Sequence, residues 1–144
     1  LCNSYSRWKA KEKRTIMPAP KRDKQMDDPQ AHLPLTALAF HILLALGEEP
    51  LHGYAIIQDI EERTEGAMKL RSGTLYTAIR RLEADGLLTA TDRRPAPDRD
   101  DQRRNYFRLT ALGREVAELE SRRLAGLLST ARNRRLFQPS QGES

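Results

Sequence analysis

Three features of this sequence predict a mainly α-helical fold that carries one small β-hairpin and ends in a long helix. Four segments are apolar at helical spacing or nearly throughout, two short β-compatible segments follow the third, and glycines stand where helices should stop. The 144 residues, 38% hydrophobic and 31% charged, suit a single core with polar ends.

Residues 1–30 are polar, contain Pro18, Pro20 and Pro29, and keep no period of 2 or 3.6, so they read as a disordered basic arm. The chain begins with Leu and Met26 stands just before the first periodic segment, which makes the arm a candidate product of a misplaced translation start. Pro34 suits the first turn of a helix and Gly47 its end, predicting a first helix over 34–46. Within 33–46 only Pro34, Thr36 and His41 fall outside the apolar set, so both faces need cover, one of them from a second subunit. In the second helix Gly53, Ile56, Ile57 and Ile60 set the buried stripe, Gln58, Asp59, Glu61 and Glu62 face outward, and Gly66 is the expected C-cap. Gly53 lies on the packed face, where a missing side chain permits a close approach.

Ser72 is expected to cap a third helix over 73–85, in which Leu75, Ala78, Ile79 and Leu82 repeat the spacing up to Gly86. Segments 87–91 and 106–109 then predict a hairpin whose long tip, 92–105, is rich in Arg and Asp and broken by Pro95 and Pro97. Thr110 is the expected cap of the last helix. There Leu112, Val116 and Leu119, and later Leu124, Leu127 and Leu128, keep helical spacing to about residue 134. About 36 Å of helix is more than so small a domain covers by itself, so these six residues are assigned to a dimer interface. Residues 136–144 read as a disordered tail.

This order of elements is that of a winged helix-turn-helix over 31–110 followed by a dimerisation helix over 111–135. Net charge is +5, but residues 1–25 hold eight Lys or Arg against Glu12 and Asp23, which leaves the remainder at −1. Local distribution is therefore more informative than the total. Wound at 100° per residue, the third helix puts Gly73, Tyr76, Thr77 and Arg80 opposite its apolar stripe. Lys69, Arg71, Arg80 and Arg81 share the stretch 69–82 with no carboxylate. A helix fits the major groove, where Arg, Thr and Tyr reach bases or phosphates, so Ser72, Gly73, Thr74, Tyr76, Thr77 and Arg80 are the candidate DNA contacts. In the hairpin tip Arg103 and Arg104 are candidate phosphate contacts, with Asp98, Asp100 and Asp101 available to pair with them in the free protein.

His52-Gly53-Tyr54, Gly73-Thr74-Leu75-Tyr76, Arg81-Leu82-Glu83 followed by Gly86-Leu87, and Tyr106 with Leu109-Thr110 and Gly113 occur in an order that resembles the PadR family of bacterial transcriptional regulators. The resemblance covers 34 to about 115 and suggests a short form with one C-terminal helix. It implies a homodimeric winged-helix repressor that binds a palindromic double-stranded operator and is often released by a small aromatic or drug-like effector. Three departures stand out. Thr77 occupies the place of a proline common in the family, the wing is longer and more mixed in charge, and the last helix lacks the tryptophan that stacks on ligands.

Other classes fit poorly. His32, His41 and His52 are 9 and 11 residues apart, not at the i, i+4 spacing of helical metal ligands, and Ser72 has no G-x-S-x-G elbow, so neither an enzyme nor a cofactor or metal is expected. The single Cys2 supports no disulfide framework, which points to an intracellular chain. The 14-residue apolar run 33–46 falls short of the roughly 20 that span a membrane. Leu38, Phe40, His41 and Leu44 are the candidates to border an effector cavity at the dimer interface, although a dry dimer core is the favoured reading of the same residues. The competing function is a winged-helix interaction module whose arginine loop grips an acidic protein.

Overall fold

Apolar side chains at helical spacing meet in one core. The computed structural model describes residues 27–92 and 105–140. A 3-10 turn over Pro29–His32 precedes α1 (Ala37–Ala45), β1 (Leu51–His52), α2 (Gly53–Arg63), α3 (Ser72–Ala84), β2 (Leu88–Thr91), β3 (Tyr106–Leu109) and α4 (Ala111–Asn133). Ile42 and Leu43 of α1, Ile56 and Ile60 of α2, Leu75, Ile79 and Leu82 of α3, Leu87, Leu88, Phe107 and Val116 form the buried cluster. This is a winged helix: α2, a turn and α3, then an antiparallel sheet, with α1 and α4 packed together behind them.

Local capping decides the helix ends. The first helix starts at Ala37 rather than at Pro34, because Thr36 supplies an N-cap whose Oγ1 accepts the Ala39 N–H at 3.2 Å. The third begins one residue before expectation: Arg71 is its N-cap, and Ser72 is the first helical residue instead of the cap. Gly86 ends it as foreseen, taking φ +79, a conformation that glycine adopts without a Cβ penalty, while the Leu87 N–H reaches back to the Leu82 carbonyl at 2.9 Å. Thr110 caps α4 through Gly113 N–H, and its own hydroxyl donates to the Gly86 carbonyl, tying the start of α4 to the end of α3.

The sheet has order β1-β3-β2, with Leu88 opposite Leu109 and Thr91 opposite Tyr106. Its third strand is an addition to the expected hairpin. Leu51 and His52 are too few to show alternation, and they become a strand by pairing with Phe107 and Tyr106.

Both expected disordered ends are partly built. Residues 27–30 join the 3-10 turn that packs on α4, and the Asp28 side chain accepts the Gln30 N–H at 3.1 Å. At the other end the Leu136 N–H bonds the Ala131 carbonyl at 2.9 Å, and the Arg132 guanidinium sits 5.7 Å from the Phe137 ring centroid. Residues 1–26 and 141–144 lie outside the described residues.

Candidate nucleic-acid interface

The outer face of α3 is built by burying its other side. Leu75, Ile79 and Leu82 lock the helix to the core, and Ser72, Gly73, Thr74, Tyr76, Thr77 and Arg80 all emerge exposed. Lys69, Arg71 and Arg81 are exposed beside them, and among the described residues no ion pair engages any of these cations. The surface is thus a continuous electropositive, hydroxyl-bearing face. Thr77 Oγ1 donates its hydrogen to the Gly73 carbonyl at 2.9 Å, so toward a ligand it presents acceptor lone pairs and a methyl group.

Tyr76 reaches across to α2. An ideal Cβ at Gly53 would stand 2.6 Å from the Tyr76 Oη and 2.9 Å from its Cζ, so the phenol lies directly on the glycine. The residues before it are fixed in turn. His52 is the N-cap of α2, its Nδ1 accepting the Ala55 N–H at 3.1 Å, which makes that nitrogen the unprotonated one. The His52 ring meets Tyr106 of β3 edge-on at 5.4 Å and stacks with Tyr54 at 6.4 Å. An aromatic row therefore joins the sheet to the start of α2. The glycine was legible as a close-approach position, but not the side chain that occupies the space.

Arg103 and Arg104, the candidate wing contacts, lie outside the described residues.

Two of the four candidate effector residues border different grooves among the described residues. Leu38 borders a groove of about 1060 Å³ between the segment entering α1 and α3, together with Leu35, Ala78, Leu82, Arg71 and Arg81. Leu44 borders a separate groove of about 510 Å³ with Glu48, Glu49 and Glu62. Phe40 is half-buried, and His41 is held on the α1–α2 seam, where Arg63 donates to its carbonyl at 2.9 Å and lies 3.1 Å from its Nδ1. Six residues along a helix turn the side chain by 240°, which sends Leu38 and Leu44 to different sides.

The six candidate dimer residues divide as well. Val116 is fully buried in this chain's own core, and Leu112 packs against that core, so Val116 is corrected from interface to core. Leu119 is half-buried, whereas Leu124, Leu127 and Leu128 are 36%, 56% and 42% exposed. Between the two groups sits Glu120, four residues after Val116 and so on the same face of the helix. It is 1% exposed and accepts a two-pronged pair of 2.7 Å bonds from Arg123. Arg123 holds its carboxyl below the usual carboxylate range against the opposing effect of burial. Among the described residues no group of three His, Cys, Asp or Glu could hold a metal, and no helix is long and apolar enough to cross a membrane.

The profile of the Transcriptional regulator PadR-like family matches residues 42–119, from within α1 to within α4. The transcriptional regulator Rv3488 of Mycobacterium tuberculosis is 32% identical over 91 residues, 63% of this chain and 78% of that protein. An uncharacterized 37.1 kDa protein in transposon TN4556 of Streptomyces fradiae is 42% identical over 86 residues, 60% of this chain. The chain spans 22% and 64% of the length of two of the curated relatives it matches. Among solved structures, a transcriptional regulator from Clostridium thermocellum superposes with a TM-score of 0.55 at 26% identity, covering 67% of this chain and 87% of that one. With more than half of its length matched, the chain belongs to the PadR-like family of transcriptional regulators.

Proposed function

We propose that the chain acts as a homodimeric regulator that binds double-stranded DNA sequence-specifically, with α3 as the recognition helix. Family membership assigns a regulator and not an enzyme. The observation that carries the DNA reading is the α3 face: six exposed small, hydroxyl-bearing or cationic residues, with no carboxylate from Lys69 to Leu82. A major groove accepts such a helix, and a phosphate backbone attracts such a charge. Arg80 reads a base edge in this account, and Arg103 and Arg104 of the wing bind phosphates. The exposed Leu124, Leu127 and Leu128 support pairing of two chains through α4. A two-fold dimer then reads a palindromic operator with half-sites about 10 base pairs, or a multiple of that, apart. Repression relieved by a small aromatic effector, in the cytoplasm of a bacterium, completes the reading.

The test is selection of duplexes from a random pool at about 150 mM salt, followed by titration of the selected and a scrambled duplex. A preference of a hundredfold or more supports the proposal. Weak binding indifferent to sequence would overturn it in favour of a module gripping an acidic protein. Arg80→Ala should lower affinity for the selected duplex by about 1–3 kcal/mol and relax preference at one base pair, while Arg104→Ala should weaken all duplexes alike and reduce the salt slope by about 1.

A further inference from the structure

The contact between Gly53 and Tyr76 reaches beyond packing, and its meaning rests on the DNA reading above. Gly53 is buried as the first residue of α2, and a Cβ there would fall 2.6 Å from Tyr76 Oη, 2.9 Å from Cζ and 3.4 Å from Cε1. Cβ atoms do not sit that close, so any other residue at 53 must displace something.

What moves follows from how each side is held. The α3 backbone is fixed by buried Leu75, Ile79 and Leu82. The Gly53 side is fixed by the His52 cap, by the pairing of His52 with Tyr106 in the sheet, and by the edge-on contact of their rings. The Tyr76 ring is the free part: it is 40% exposed and turns on only two side-chain torsions. A Cβ at 53 would therefore swing the phenol out of its seat.

We infer that Gly53 is a positioning residue for DNA recognition, acting through Tyr76: the missing side chain lets the ring lie flat on the start of α2, which fixes the phenol hydroxyl at the seam between the two helices. A pre-placed ring loses little freedom on binding, so its hydrogen bond adds to specificity. Gly53 itself touches no DNA in this account.

The experiment compares wild type, Gly53→Ala, Tyr76→Ala and the double variant, each titrated with the selected and the scrambled duplex well below its melting temperature. Expected is a roughly tenfold fall in the selected-to-scrambled preference for Gly53→Ala, with scrambled binding unchanged. In the Tyr76→Ala background the same substitution should change preference by less than twofold. Thermal melts of the four proteins supply a second reading: Tyr76→Ala should relieve the destabilisation caused by Gly53→Ala. A general folding defect would lower both duplex affinities together, and that outcome overturns the inference. Wild-type preference in Gly53→Ala, or the same loss in both backgrounds, also overturns it. A wild-type protein that prefers no duplex removes the DNA reading as well; a wild type with strong preference and no Gly53 effect removes this inference alone.

Discussion

The two halves of α4 have nearly the same apolar spacing and opposite fates. From Ala111 to Glu120 the helix buries Gly113, Val116 and Glu120 against its own chain; from 121 to 130 every residue is exposed, including three leucines. Composition does not separate them, since Leu112 and Leu119 in one half match Leu124, Leu127 and Leu128 in the other. The difference is what lies opposite. The first half meets the core of its own chain and the end of α3, while among the described residues the second is left exposed. An apolar stripe thus demands cover without naming its source.

The sharpest way to break this contrast is at Gly113, where a Cβ would fall on the Leu87 backbone carbonyl. Gly113→Ala should cost about 4 kcal/mol or prevent folding, measured by chemical denaturation, because backbone on both sides cannot yield cheaply. In the exposed half, Leu127→Asp should leave the circular dichroism spectrum intact and weaken self-association at least a hundredfold, about 2.7 kcal/mol, by sedimentation. Val116→Ala should do the reverse, destabilising the fold by about 2 kcal/mol without a specific loss of association. At the boundary, Glu120→Gln should cost about 1 kcal/mol by weakening the paired bonds to Arg123. The sign with pH follows. A carboxyl whose folded pKa is depressed stabilises above the ordinary carboxylate range and loses that contribution as pH falls through the lowered value. Wild type should therefore weaken more steeply than Glu120→Gln in denaturation series carried below about pH 4.

The same contrast explains what was legible in the sequence. Helical periods, the Gly86 stop, the Thr110 cap and both hairpin strands are local facts, and each is found in the structure. The outward face of α3 was legible for the same reason, since winding a helix from its buried stripe is local arithmetic. Errors arose where an outcome depended on a distant residue. Leu51 and His52 become a strand only through Phe107 and Tyr106, 54 or more residues onward. Val116 belongs to the core only because side chains of α1, α2 and α3 are there to meet it. The expected start at Pro34 gives way to Ala37 because the Thr36 side chain satisfies the Ala39 N–H.

Among the described residues Glu120 is also the last side chain of α4 buried against its own domain. Beyond it about 20 Å of helix runs on to Asn133, so that stretch works as a lever arm whose fulcrum is a single carboxylate. A tilt of about 5° at the fulcrum moves the tip by about 2 Å, more than half of the 3.4 Å between successive base pairs. If two chains are joined at their tips, the stiffness of that one hinge sets how closely the distance between the paired recognition helices is held to the pitch of a duplex.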